Sequence, residues 1–435
     1  MPLNRAQIII IAAVALVILI LGGLFIFGGR DETEKPPAIE LTVWGVEPRD
    51  SFNEGLNNYR AFRTNVRVDY EEINPANYES ELLNALAAGQ GPDVLMFKSA
   101  WLPKHYNKIA PVGDSQFNLA QLQQLFPMVA EQDFAPDGLI YALPLYIDTL
   151  AFYYNTDIFN TAGVAVPPAT WLDFQNLVTK LRQIDAQKNI TRAAAAIGGS
   201  AKSVDAAGDI LSLLMLQSGA EMTDKDFTRA TFGDFVGDIR PGEIALDFYT
   251  KFSDIGSAFY TWNDNLGSSL DSFASGKTAM MFNYLSQKTY LQNKNPFLKF
   301  KILPMLQPSV SGSAVNYASY WGLAVSNKSA VPEWAWDMVI FLATDELTAE
   351  SFLKTTGHSP ALRSLIQKHL NDPELGIFAK QALSARSWPR TDEQSVANIF
   401  SQMIESVNSR QLESRNALDQ AEAQVTELIR LRNPQ

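Results

Sequence analysis

Seven aromatic residues fall in segments that read as irregular or as strand ends: Trp44, Trp101, Tyr146, Trp262, Tyr320, Trp321 and Trp388. Beside them in the sequence stand Glu47, Asp148, Asn263, Asp264, Asn283 and Arg386. A flat ring offers a platform to the C–H face of a ligand, while carboxylates and amides hold its polar edge, the amides both donating and accepting. Glu47 and Asp148 follow strand-like stretches, where a carboxylate can accept two hydroxyl hydrogens in short charge-assisted bonds. Each residue also has a plain structural use: core packing for the rings, capping for Asp148 and Asn283, a solvated loop for Glu47 and Asp264. Arg386 and Arg390 suit a carboxylate ligand or ion pairs with an acidic surface, and Asp93 reads as structural at a strand entrance.

Reaction chemistry finds no comparable set. Gly276-Lys277-Thr278 imitates the end of a phosphate-binding loop, but Asp271 stands where that motif needs its first glycine. Gly89-Gln90-Gly91 lies between a helix and a strand, the reverse of a dinucleotide fingerprint. Ser351 and Lys354 have a serine-lysine spacing inside an amphipathic helix, with no accompanying SDN motif. His105, His358 and His369 lack metal-ligand spacing, and the partial calcium loop Asp133 to Gly138 meets Ala135 and Pro144 at ligand positions. The chain has no cysteine. We therefore expect no catalytic residue, cofactor or metal.

The 435 residues allow two or three domains, and 46% hydrophobic with 19% charged is the composition of a folded protein. The net charge is −12, and the first 30 residues contain Arg5 and Arg30 but no acid, so the rest is more acidic still. No basic stripe interleaved with aromatics is present, which argues against a nucleic-acid partner. Ile8 to Phe27 is an unbroken run of 20 apolar or glycine residues, enough to span ~30 Å as a helix. It is longer than a signal-peptide core and has no small-residue cleavage site after it, so we read residues 1–30 as a retained transmembrane anchor with the amino terminus in the cytoplasm. Residues 31–38, charged and proline-containing, read as a tether.

Past the tether, hydrophobic periodicity predicts strands at Glu40–Gly45, Val66–Ile73 and Asp93–Phe97, alternating with helices at Asp50–Arg63 and Tyr78–Ala88. That spacing implies parallel pairing and an α/β sheet covered on both faces, with ligands outside the carboxyl ends of its strands. Pro144 followed by Leu150–Tyr154 reads as a chain crossing between sheets, with further crossings at Lys299–Leu306 and Thr355–Pro360. Thr170 should cap a helix at Trp171–Ile184, and another helix should cover Ala206–Ser218. The tail, Glu393 to Leu431, predicts two amphipathic helices packed on the second lobe rather than a free coiled coil.

Several segments in order, LTVWG, ALAAGQGPDVLMF, LIYALPLYIDTLAFYYNTDIFNTAGVAVPPATWLDF, FASGKTAMMFNY, SYWGLAVSNKSAVPEWAWDMVIFLA and TTGHSPALRSL, resemble the extracellular solute-binding proteins of ABC importers that include maltose- and multiple-sugar-binding proteins. The resemblance implies an α/β, two-lobed, periplasmic-binding-protein-like fold of type II. We place lobe 1 at 39–145 plus 306–355 and lobe 2 at 146–305 plus 356–435. It also implies a non-enzymatic, monomeric, extracytoplasmic body that holds a carbohydrate between its lobes and presents it to an ABC permease. A membrane-tethered glycoside hydrolase, with two carboxylates flanking a glycosidic bond, and a sensing or adhesion receptor without a permease are the competing readings. The amino terminus departs from the family, where a lipid-modified cysteine or cleavable signal is usual.

Overall fold

The computed structural model describes residues 38–432, so the apolar run Ile8–Phe27 and most of the tether lie outside the described residues. In chain order the principal elements are β1 (Ile39–Gly45), α1 (Arg49–Phe62), β2 (Val66–Glu72), α2 (Tyr78–Ala87), β3 (Val94–Lys98), β4 (Ile109–Ala110), α3 (Met128–Phe134) and β5 (Ala142–Pro144). They continue with β6 (Ala151–Asn155), α4 (Trp171–Leu181), β7 (Gln183–Ile184), β8 (Ile190–Ala195), α5 (Ala207–Gln217), α6 (Pro241–Thr250), β9 (Thr278–Asn283) and β10 (Phe300–Leu303). The last are β11 (Asn316–Tyr317), β12 (Trp321–Ser326), α7 (Pro332–Thr344), α8 (Glu346–Thr356), β13 (Ala385–Arg386), α9 (Glu393–Asn408) and α10 (Ser414–Arg432).

The first sheet has the order β2-β1-β3-β12-β4, with β5 also paired to β12. β1 runs parallel to β2 and β3, and β12 returns antiparallel to β3. Alternation explains β1: Leu41 and Val43 are buried while Thr42 faces solvent. β3 buries Val94 to Phe97 without alternation because both its faces are covered. α1 places Phe52, Leu56 and Tyr59 on its buried stripe at helical spacing. The second sheet has the order β10-β6-β9-β8-β7, with β8 parallel to β9 and β6 antiparallel to β9. Thr170 caps α4 through a reciprocal pair with Asp173, as its position predicts.

Two hydrophobic cores result. One runs from Leu41 to Ile147 and takes back Ala318 to Ile366 with Ala379, Ala382 and Ala385; the other runs from Leu150 to Leu306 and takes Tyr317, Phe378 and Trp388 to Ile429. Both tail helices pack in the second core through Val396, Phe400, Leu418 and Val425. Two of the expected crossings are different structures. Lys299–Leu306 contains β10, an edge strand paired antiparallel with β6 inside the second sheet. Thr355–Pro360 closes α8 at Gly357, in the left-handed region at φ 74°, and then bridges Pro360 to Tyr146 within the first core. Ala361, Leu362, Leu365 and Ile366, placed with the second lobe by sequence, pack in the first core. The parallel pair β11 and β13 instead lies where the chain changes lobes, near Leu150, whose amide donates to Tyr317 O at 3.0 Å. Among the described residues no helix is long and apolar enough to cross a membrane.

Candidate functional site

Residues just beyond the carboxyl ends of β1, β3 and β9 meet at the seam between the lobes. Glu47 follows β1, and its carboxylate lies 2.8 Å from His358 Nε2. The His358 ring stacks on Tyr146 at 3.8 Å between centroids and 9° between planes. Asp148, two residues on, accepts from the amides of Leu285 at 3.1 Å and Ser286 at 3.2 Å, just after β9. Burial pushes the Asp148 carboxyl up to about 6, although His358 and these amides favour its charge. Glu47 and His358 from the first lobe, with Leu285, Ser286 and Lys288 from the second, line a cavity of 590 Å³. Its size and its mixture of polar groups suit a small ligand.

A second group lies along the same seam. Lys98, the last residue of β3, donates to Glu393 at 2.7 Å, and Lys104 reaches Asp392 at 2.5 Å and Glu79 at 2.7 Å. Asp392 and Glu393 begin α9 of the second lobe. Burial works against the Glu393 charge, but Lys98 and Arg390 outweigh it and hold the carboxyl below its ordinary range. Arg390 donates to Tyr317 Oη at 2.8 Å and pairs with Asp209 at 3.3 Å, and Asp209 accepts from Tyr284 Oη at 2.8 Å. Arg390 Nε is buried with no partner. Trp388, Asp209, Asp205 and Arg390 line a smaller cavity of 130 Å³.

The aromatic residues separate into two classes. Trp321 and Trp44 are half-buried, and Trp321 makes edge contacts with Trp101 at 5.1 Å and Tyr78 at 5.7 Å. Trp321 is paired in register with Lys98, so this cluster sits at the end of the first sheet that meets α9. Trp101 itself is buried in the cluster. Trp388 is buried against Phe400 at 5.8 Å and donates to Ser212 at 3.2 Å. Trp262 is a core residue: it is 0% exposed, and its indole donates to Ser203 at 2.9 Å. Tyr320 is likewise core, donating to buried Asp133 at 2.7 Å.

Among the polar residues, Asp264 is spent on the loop after β8, accepting from Ser200 N, Ser200 Oγ and Ser203 Oγ at 2.9, 2.8 and 2.6 Å. Asn263 caps the short turn after it. Asn283 is buried, donating to Asp205 at 3.1 Å, and Arg386 is exposed on β13. Arg390 forms the ion pairs its sequence offered, with Asp209 and Glu393, whereas Lys98, Tyr284 and His358 are not among the ligand residues the sequence suggests. Lys98 had a signal, its place at the carboxyl end of a parallel strand; His358 had none, because its partner Glu47 is 311 residues away.

The family profile for bacterial extracellular solute-binding proteins matches residues 45–349. The chain belongs to that family. A binding protein of Brucella abortus (strain 2308) is 22% identical over 384 residues, covering 85% of this chain and 88% of its own length. Two solved structures share the fold of this solute-binding protein. The cyclic alpha-maltosyl-1,6-maltose binding protein from Arthrobacter globiformis is 18% identical with a TM-score of 0.72, covering 91% of this chain and 100% of its own. The sugar-binding protein MalE from Xanthomonas citri is 17% identical with a TM-score of 0.71, covering 91% and 98%. The two-lobed α/β architecture expected from the sequence is therefore shown, and the seam just described lies between those lobes.

Proposed function

We propose that this protein is an extracytoplasmic receptor that binds a sugar or oligosaccharide between its lobes and hands it, chemically unchanged, to an ABC permease. The observation that carries this reading is the 590 Å³ cavity walled by both lobes, with Glu47 and His358 on one side and Leu285 to Lys288 on the other. A guest there touches both lobes at once, so binding energy goes into holding them together. The two structures of the same fold named for sugars support the ligand class. At the same end of the first sheet, half-buried Trp44 and Trp321 offer apolar faces of the kind a polyhydroxylated ring packs against. In this reading Ile8–Phe27 tethers the body to the membrane, so the receptor samples its permease at raised effective concentration.

Calorimetric titration of the protein with glucose, maltose, maltotriose and maltotetraose, followed by chromatography of the recovered sugar, tests the proposal. We expect one-to-one binding with the sugar recovered intact. Glu47→Gln and Trp321→Ala should each weaken binding about tenfold, the loss of one good contact. Absence of binding to all four sugars, or hydrolysis that Glu47→Gln abolishes, would overturn it.

A further inference from the structure

A larger cavity, 650 Å³, opens on the second lobe away from the seam, between the turn at Asn263–Asn265 and the helices α9 and α10. α9 begins with Glu393 at the seam and reaches this cavity through Gln402 and Met403, some ten residues or ~15 Å further along its axis. Asn265, Gln402, Gln411, Gln420 and Gln424 form the rim, all exposed and all with amide side chains free of protein partners. Beneath them Met403, Ala417 and Ala421 make an apolar floor. The two carboxylates in the wall are already committed: Asp264 to the Ser200 and Ser203 groups, and Glu405 to Lys202 and Ser401. Two further lining residues hold buried polar atoms that nothing satisfies, Ser253 Oγ and Asn408 Oδ1. Both atoms are shut away behind the lining, so the hydrogen-bonding capacity open to a guest is that of the rim amides.

We infer that this cavity is a second ligand site, for an uncharged polyhydroxylated molecule. Carboxamides both donate and accept, as hydroxyl groups do, so a ring of five of them matches a polyol edge. The floor of methyl and methylene groups receives C–H faces. An anion is disfavoured because no unpaired Lys or Arg lines the wall, and a cation because both carboxylates are taken. No aromatic ring lines it either, so affinity rests on hydrogen bonds and falls below what stacking on an indole adds. The site is independent of the seam, since none of its lining residues lines the 590 Å³ cavity.

The test is methyl NMR on the full chain with 13C-methyl methionine, the Met403 signal being assigned through Met403→Leu. The probes are maltotriose, trehalose, myo-inositol and glycerol at millimolar concentrations, with glucose 6-phosphate as the charged control. We expect at least one neutral probe to shift the Met403 signal saturably, and the shift to persist in Trp321→Ala, which impairs the seam. In Gln402→Ala/Gln424→Ala, two exposed positions whose truncation leaves the fold intact, binding should weaken about tenfold. The inference is overturned if no neutral probe moves the signal, if glucose 6-phosphate binds better, or if the shift disappears with Trp321→Ala and survives the double substitution. Survival of the shift when the seam is emptied also separates this site from the proposed sugar cleft.

Discussion

Trp262 and Trp321 carry the same ring into opposite settings, and their substitutions should read out differently. Trp262 is fully enclosed with its N–H on Ser203, so Trp262→Ala should cost about 3–5 kcal/mol of stability without ligand, seen as a large fall in melting temperature. A small fall would show that the ring is not core. Sequence proximity to Asn263 and Asp264 made Trp262 look like a ligand platform; the carboxylate beside it in fact organises the loop after β8. Asp148 gives a pH signature. Its carboxyl is raised to about 6 by burial, above the ~3.9 of an unfolded chain, so the folded protein holds the extra proton between those values. Stability from this group is fully present below pH ~4, is lost as pH rises through about 6, and is level above that. Denaturant titrations at about pH 4.5 and pH 7 should show a smaller pH-dependent loss in Asp148→Asn than in the parent. An equal loss in both would mean that Asp148 does not titrate in that window.

β12 is the element that closes the first sheet, joining β3, β4 and β5. Gly322 allows this: a Cβ there would meet Leu143 O at 2.4 Å and the Phe134 ring at 2.9 Å. Gly322→Ala should therefore cost about 1–3 kcal/mol by forcing β5 away, while Gly312→Ala, which meets nothing, should leave the unfolding midpoint unchanged. Equal effects would remove the steric account. Periodicity made the first five elements legible, since Leu41 and Val43 alternate and Phe52, Leu56 and Tyr59 recur at helical spacing. It also gave both tail helices and the polar break between them. It failed at Lys299–Leu306 and Thr355–Pro360, because local sequence does not distinguish a chain passing between sheets from an edge strand or a helix exit. The real third passage, through β13, is only two residues long and leaves no periodic trace. The same limit hid the Glu47–His358 pair and the chain of contacts from Lys98 to Asp209, which join residues hundreds of positions apart.

At the scale of the whole molecule, the question is how firmly the lobes are held when no guest is present. Two ion pairs cross the seam at the start of α9, from Lys98 at the end of β3 to Glu393 and from Lys104 in the turn after β3 to the helix cap Asp392, each with side chains about a quarter exposed. Pairs so placed contribute roughly 0–1 kcal/mol each and weaken with salt, so they bias closure without locking it. A bound guest must then supply most of the closing free energy. Weakening the bias lowers the closed fraction, and apparent affinity falls by that same fraction even though no ligand contact has changed. Lys104→Ala tests this more cleanly than Lys98→Ala, because Lys98 also borders the Trp321 cluster. Lys104→Ala should expand the ligand-free protein in solution X-ray scattering, leave the ligand-bound radius unchanged, and weaken binding by a few-fold, about 1 kcal/mol or less. In the parent, raising ionic strength should produce the same expansion and in the variant a smaller one. If the ligand-free radius responds to neither substitution nor salt, the pair with Asp392 is a surface contact with no part in closure.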